Sequence, residues 1–136
     1  MGKLFEIYIF TAGIKNYANS VIDEIDKHKV IKKRYYRDDC IYYNGFYIKD
    51  LKIIGRSLNE VITIDNSPYC YCLNPNNAVP IGSFFDDFSD IELFNLIPLL
   101  TNLAHSNNIQ AVIKEMFDND MSLSDEIVRE IRSQYE

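Results

Sequence analysis

Residues 61 to 68 read Val61-Ile62-Thr63-Ile64-Asp65-Asn66-Ser67-Pro68, and this stretch decides the fold. Four consecutive β-branched side chains favour extended structure, and a run without polar alternation is typical of a parallel strand covered on both faces. Asp65 and Asn66 stand where this strand ends, and Ser67-Pro68 favours a turn. Because ligands of open α/β sheets bind outside the carboxyl ends of the strands, the pair is a candidate metal or phosphate site. The alternative interpretation is an Asx turn that ends the strand.

Length and composition are those of one ordinary soluble domain. The chain has 136 residues, of which 47% are hydrophobic and 25% are charged. It contains no apolar run close to the ~18 residues that a membrane span needs, so we expect no membrane partner. A net charge of −6 argues against direct binding of nucleic acid. The basic cluster at residues 27–34 is the exception, and we expect it to be a solvated helix end.

The cysteines and histidines point away from several classes of protein. Cys40, Cys70 and Cys72 are an odd number without a C-x-x-C pair, so neither a disulfide framework nor a structural zinc site is indicated. A reducing, intracellular compartment follows, either nucleus or cytoplasm. His28 and His105 lie in polar surroundings without a nucleophile elbow, so a hydrolase triad has no support and both are expected at the surface.

The rest of the chain alternates between strand-like and helix-like segments. Residues 4–11 indicate a second buried strand, and the spacing of apolar residues predicts an amphipathic helix near 15–28. Residues 33–37 are a shorter extended piece. Residues 41–48 carry the strongest local signal, because Asn44-Gly45 between aromatic strands predicts a type I′ hairpin.

The C-terminal half adds one more strand and several helices. The pattern predicts, in order, a turn or helix stopped by Gly55, a loop at 74–77, a strand from Val79, a helix from a capping box at 89–92 to about Leu103, and helices near 108–117 and 123–135. Pro98 should bend the first of these helices. The alternation predicts an α/β fold, a parallel sheet flanked by helices, with a β-hairpin.

Six short motifs follow one another along the chain: Phe10-Thr11-Ala12-Gly13, Arg37-Asp38-Asp39-Cys40, Tyr47-Ile48-Lys49-Asp50-Leu51, Asp65-Asn66-Ser67-Pro68, Asn76-Asn77-Ala78-Val79-Pro80 and Phe85-Asp86-Asp87. In order and spacing they resemble the small C-terminal-domain phosphatases, also called NLI-interacting-factor-like phosphatases. The resemblance covers about residues 4–103. It implies a single partial phosphatase domain over 1–136, of haloacid-dehalogenase-like (Rossmann-like) fold, with residues 104–136 as a C-terminal helical extension.

The resemblance also implies roles for five residues. Members are magnesium-dependent phosphatases that attack a phosphoserine with an aspartate. By motif, Thr11 is a hydrogen-bond donor to the phosphoryl group and Lys49 neutralises its charge, as suits phosphoryl transfer. Asp65 and Asn66 match the metal-binding motif, whose hard oxygen ligands suit magnesium, and Arg37 matches a position near the substrate groove. Each residue considered alone has an alternative interpretation. Thr11 is then the end of a strand, and Lys49 is a surface charge after a hairpin.

One motif of the family does not occur in the sequence. The nucleophile motif Asp-x-Asp-x-Thr lies in relatives on a central strand upstream of the Phe5 strand, and its nearest look-alike here is Asp118-Asn119-Asp120-Met121-Ser122. We therefore expect the central nucleophile strand to be absent from this chain, magnesium binding to be weak and turnover to be negligible. The Ile7 and Val61 strands then either pair directly or leave a sheet edge open to another chain.

Two functions remain. The first is a magnesium-dependent protein serine/threonine phosphatase of the RNA polymerase II C-terminal-domain phosphatase type, present here as an N-terminally truncated chain and acting on phosphoserine or phosphothreonine proteins. The second is a catalytically dead relative, either a phosphopeptide-binding protein or a scaffold resembling an import receptor. The four residues Thr11, Lys49, Asp65 and Asn66 favour the first, because a chain without catalysis has no chemical reason to keep them.

Overall fold

The computed structural model describes residues 4–82, 92–117 and 123–133. Strands and helices alternate along these residues, which confirms the mixed α/β class. The Phe85-Asp86-Asp87 motif, Ser89 of the predicted capping box and the stretch 118–122 lie outside the described residues.

The chain begins with a strand, a helix and a second strand. These are β1 (Ile7–Phe10), α1 (Lys15–Ile25) and β2 (Ile31–Tyr35), and β1 and β2 pair in parallel. Helix α1 buries Ala18 and Ile22. Of the apolar side chains that predicted this helix, Tyr17 is 68% exposed and Ile25 is 66% exposed. Tyr17 precedes the buried Ala18 by one residue and therefore lies about 100° around the helix from it, whereas Ile25 lies on the buried side and is the last residue of the helix.

The sequence predicted that the basic cluster is a helix end, and this prediction was wrong. Helix α1 ends at Ile25, and the carboxylate of Asp26 accepts a hydrogen bond from the Val30 amide at 2.9 Å, which turns the chain toward β2. Lys32 and Lys33 are exposed on β2 itself. Lysines on the outer strand of a sheet discourage pairing with other chains.

A tight hairpin follows, as predicted. Strands β3 (Ile41–Tyr43) and β4 (Phe46–Ile48) pair antiparallel around Asn44 and Gly45. Both turn residues have positive φ, 49° and 86°, which a type I′ turn requires. Ile41 and Ile48 face each other and are each 3% exposed, so one face of the hairpin belongs to the core.

The stretch that decides the fold is a short strand. Strand β5 (Thr63–Asp65) pairs in parallel with β6 (Ala78–Pro80), which confirms the parallel pairing. The prediction that both faces of this strand are covered was wrong, since Ile64 is 36% exposed while Val61 and Asp65 are buried. The preceding 3₁₀ turn Leu51–Ile54 stops at Gly55, with φ of 76°, as predicted.

The described strands form three separate two-stranded sheets and not one parallel sheet. The pairs are β1 with β2, β3 with β4, and β5 with β6. The predicted single parallel sheet is therefore not formed among these strands. The alternative in which the Ile7 strand (β1) pairs directly with the Val61 strand (β5) is also wrong. Within the described residues, β1 and β5 each pair along one edge, and two edges are left for further hydrogen bonds.

Helices make up the C-terminal third of the chain. They are α2 (Glu92–Asn95), α3 (Ile97–Ala104), α4 (Ile109–Phe117) and α5 (Asp125–Ser133). The predicted bend at Pro98 is a full interruption at Leu96, because Pro98 lies in the first turn of α3, where a missing N–H costs nothing. None of the helices within the described ranges is long and apolar enough to cross a membrane.

Two apolar clusters hold the strands and the C-terminal helices together. One joins the hairpin to α5 and contains Ile41, Ile48, Cys72 and Ile131. The other joins β6 to α3 and α4 and contains Val79, Leu103, Ile109 and Ile113. The C-terminal helices are therefore part of the core.

Candidate functional site

The candidate site lies where β1 and β5 end. Thr11 follows β1 directly, and Asp65 is the last residue of β5. Lys49 follows β4 and brings its ammonium to Asp65, with Nζ 2.8 Å from Oδ2. The structure therefore joins two predicted site residues from separate motifs in one ion pair.

The Lys49–Asp65 pair is largely shielded from water. The exposed fraction of the side chain is 14% for Lys49 and 7% for Asp65. The second carboxylate oxygen of Asp65, Oδ1, accepts a hydrogen bond from the Ser67 amide at 3.0 Å. This is the Asx turn that the sequence offered as an alternative, so Asp65 both ends the strand and contributes to the site. Burial, and then the charge of Asp65, raises the pKa of Tyr71 nearby.

The backbone that carries Lys49 is fixed on both sides. The Lys49 amide donates to the carbonyl of Cys70 at 2.8 Å, and the Leu51 amide donates to Oδ1 of the buried Asn74 at 3.0 Å. Between them, the buried carboxylate of Asp50 accepts from the Lys52 amide and starts the 3₁₀ turn. This network positions the stem of Lys49.

Thr11 lies in a tight loop. Its amide donates to the carbonyl of Tyr35 at 3.0 Å, which extends the β1–β2 pairing by one bond. Its hydroxyl oxygen accepts from the Gly13 amide at 3.0 Å. A hydroxyl has one proton and two lone pairs, so accepting this bond leaves the hydroxyl proton to donate. That is the role the resemblance implies for Thr11.

Arg37 packs on the same loop. Its amide donates to the carbonyl of Gly13 at 3.0 Å, and its Nε donates to the carbonyl of Ala12 at 2.7 Å. The guanidinium lies over the ring of Tyr47, 4.9 Å from its centre, in a cation–π contact. Tyr47 precedes Lys49 by two residues on an extended segment, so the two share one face of it. Arg37 thus links the Thr11 loop to β4, the strand that Lys49 follows.

Cys40 lies between the two halves of the site. Its thiol contacts the carbonyls of Thr11 and Tyr36 at 3.8 and 3.7 Å. Burial raises the pKa of Cys40 to about 11, although the charge of Lys49 acts in the opposite direction. At neutral pH the thiol is therefore protonated, and it acts as a small weak donor and not as a nucleophile.

The described residues do not by themselves fit a magnesium ion. Asp65 is already paired with the Lys49 ammonium, and the neighbouring Asn66 has an exposed amide side chain. Within the described ranges no group of three or more His, Cys, Asp or Glu side chains is arranged to hold a metal. Magnesium prefers several hard oxygens in octahedral geometry, so one neutralised carboxylate and one amide are a poor site.

The predicted residues thus form two groups. Lys49 and Asp65 form one group through their ion pair, and Thr11 and Arg37 form the other on one loop. Asn66 is exposed and follows Asp65 in the sequence. Sequence reasoning did not assign a role to Cys40 or Tyr47, which connect the groups. Strand alternation in the hairpin was the available signal for Tyr47, because it lies on the same face as Lys49.

Comparison with known proteins identifies the family. Residues 1–112 match the family described as NLI interacting factor-like phosphatase. The chain belongs to this family. It is 45% identical over 113 residues to Phosphatase Herzog of Drosophila melanogaster, which covers 83% of this chain and 32% of that protein. It is 41% identical over 116 residues to the human CTD small phosphatase-like protein, which covers 85% of this chain and 42% of that protein.

A third relative has a more specific name. The human carboxy-terminal domain RNA polymerase II polypeptide A small phosphatase 1 is 41% identical over 115 residues, which covers 85% of this chain and 44% of that protein. The chain thus spans less than half the length of each of these three relatives. Helix α5 lies beyond the residues that match the phosphatase family.

Proposed function

We propose that this chain carries the phosphate-binding part of a phosphoprotein phosphatase, which the names of its relatives support. The substrate class that we propose, phosphoserine or phosphothreonine, is the one that the family resemblance implies. The observation that carries the proposal is the shielded ion pair of Lys49 with Asp65 at the end of β5, which Cys40 connects to the loop of Thr11. Phosphoryl transfer is accelerated mainly by fixed cations and donors around the phosphate oxygens. Lys49 supplies the cation and Thr11 supplies the donor.

The attacking carboxylate belongs, in this proposal, to a strand that binds between β1 and β5. Both strands have an edge that pairs with no other described strand. A parallel strand added there would end beside Thr11 and Asp65, because these residues stand at the carboxyl ends of β1 and β5, and Lys49 is paired with Asp65. Its acidic residues would also complete the magnesium site that Asp65 and Asn66 begin. The fold of the completed domain would then be the haloacid-dehalogenase-like sheet.

A phosphopeptide-binding protein without turnover is the second candidate. It is favoured by one observation, the engagement of both carboxylate oxygens of Asp65 by Lys49 and Ser67. A carboxylate engaged in this way does not act as a nucleophile, while the Lys49 ammonium still carries a charge that a phosphate can bind. For either candidate we propose a reducing compartment, nucleus or cytoplasm, consistent with the free cysteines.

Phosphate release separates the two candidates. The protein is purified from its own cells with an antibody to α5, and its mass is compared with 15.9 kDa. We expect a heavier species that releases phosphate from a phosphoserine peptide, and whose Lys49→Met variant is at least about a hundredfold slower, because one charge-stabilising group is lost. Lys52→Met is the control, since Lys52 is exposed three residues away. A species that binds the peptide without releasing phosphate would support the second candidate.

A further inference from the structure

The C-terminal helix α5 contacts the segment that carries Lys49. Arg132 on α5 donates from Nε to Oδ2 of Asp50 at 3.2 Å, across 82 positions of sequence. Asp50 is the residue next to Lys49, and its side chain is 8% exposed. The site thus has a contact from a helix that lies outside the residues matching the family.

Helix α5 is held on the hairpin by more than this ion pair. Ile131 is 1% exposed and packs against Ile41 and Ile48. Burial, followed by the charge of Glu130 on α5, raises the pKa of Tyr43 in the hairpin. Ile131 and Arg132, two consecutive residues of α5, therefore bind the hairpin and its exit, and Glu130 beside them acts on Tyr43 through its charge.

We propose that Arg132 is a positioning residue for the phosphate-binding site: docked on Asp50, it fixes the backbone from which the Lys49 ammonium reaches Asp65. The inference rests on the proposed function only in treating Lys49 as the phosphate-binding cation.

The physical reason is the burial of Asp50. A shielded carboxylate that loses its cation is left uncompensated, and the chain must move to bring it to water. Asp50 also accepts from the Lys52 amide, so its movement disturbs the 3₁₀ turn and the adjoining Lys49. With Arg132 in place, Asp50 is satisfied on both oxygens.

Arg132→Gln tests this on the 136-residue chain. Arg132 is 35% exposed and Ile131 keeps its apolar contacts, so the variant should remain folded, as a thermal melt will verify. Arg129→Gln is the matched control, because it removes the same charge from the same helix, and among the described residues Arg129 donates to the carbonyl of Asp125 in its own helix. Arg132→Lys restores a cation next to Asp50.

Two readouts are followed, the NMR signal of the Lys49 side chain and the affinity for a phosphoserine peptide. We expect Arg132→Gln to move the Lys49 signal and to lower the affinity for the phosphoserine peptide about fivefold, within the usual range for coupling through neighbouring residues. Arg132→Lys should recover most of both, and Arg129→Gln should match the unaltered chain.

The two hypotheses fail differently. An unmoved Lys49 signal in folded Arg132→Gln would overturn the positioning role. A Lys49 signal that moves in a chain that does not prefer the phosphorylated peptide would support the positioning role and contradict the proposed phosphate binding.

Discussion

The ammonium of Lys49 lies 2.8 Å from the carboxylate of Asp65, although Lys49 follows the β3–β4 hairpin and Asp65 ends β5 of a separate sheet. The hairpin delivers one and the parallel pair β5–β6 delivers the other. A shielded pair of this kind is satisfied only while both partners are present. It therefore joins the stability of the hairpin to that of the parallel strands.

Asp65→Asn is expected to lower the free energy of unfolding by roughly 3 kcal/mol, because it leaves the Lys49 ammonium shielded without its counter-charge. Urea unfolding measures the loss. The double variant Asp65→Asn with Lys49→Met should lose less than the sum of the two single variants, since the stranded charge is gone. Additive losses would show that the two side chains do not interact.

Asn77→Ala should destabilise the chain by about 2–4 kcal/mol, because two carbonyls lose a buried donor. Asn77 is fully buried, and its Nδ2 donates to the carbonyls of Leu58 and Val61 at 2.6 and 2.8 Å. Gln110, which donates to Asn77 at 3.1 Å, supplies the milder comparison Gln110→Ala. Equal losses for the two variants in urea unfolding would contradict this account.

Cys40 should react slowly with iodoacetamide at pH 8. Burial raises the pKa of its thiol to about 11 from an ordinary 9.0, so the reactive thiolate is scarce. Because the folded chain holds this proton more tightly than the unfolded chain, Cys40 contributes stability below about pH 9 that is lost as the pH rises toward 11. Mass spectrometry of the alkylated peptide follows the reaction, with the urea-unfolded chain as control. Alkylation of Cys40 as fast as in the unfolded chain would refute the shielding.

Magnesium should bind the 136-residue chain more weakly than about 1 mM, because Asp65 and Asn66 alone do not meet its coordination. Calorimetric titration measures the affinity. A submillimolar site lost in Asp65→Asn would mean that further ligands come from residues outside the described ranges.

The sequence predicted the local elements well where a single residue type is required. Asn44 and Gly45 both adopt positive φ, which few other pairs tolerate, and Gly55 ends its turn for the same reason. The parallel pairing of β5 followed from its β-branched run. Thr11 follows β1, Lys49 follows the hairpin and Asp65 ends β5, as the strand patterns indicated, while the roles of these residues and of Arg37 stay predictions.

The sequence did not predict how the elements combine. The exposed face of α1 and the separate sheets depend on which segments are present to cover them, and strand patterning does not encode that. Arg132 and Asp50 meet across 82 positions, and neither spacing nor motif links a partly exposed arginine to a particular carboxylate. The lysines of β2 were misplaced because charge runs at helix ends and on outer strands look alike in sequence.

Titration of the 136-residue chain with a phosphoserine peptide and with its unphosphorylated twin, followed at the Lys49 side-chain NMR signal, tests the central claim most directly. We expect the phosphorylated peptide alone to shift this signal and to bind at least about fivefold more tightly. Calorimetry, which does not need the Lys49 signal, should show the preference lost in Lys49→Met and kept in Lys52→Met, because charge-assisted bonds to phosphate require the ammonium. Equal binding of both peptides, or a preference that survives Lys49→Met, would contradict a phosphate-binding site at Lys49.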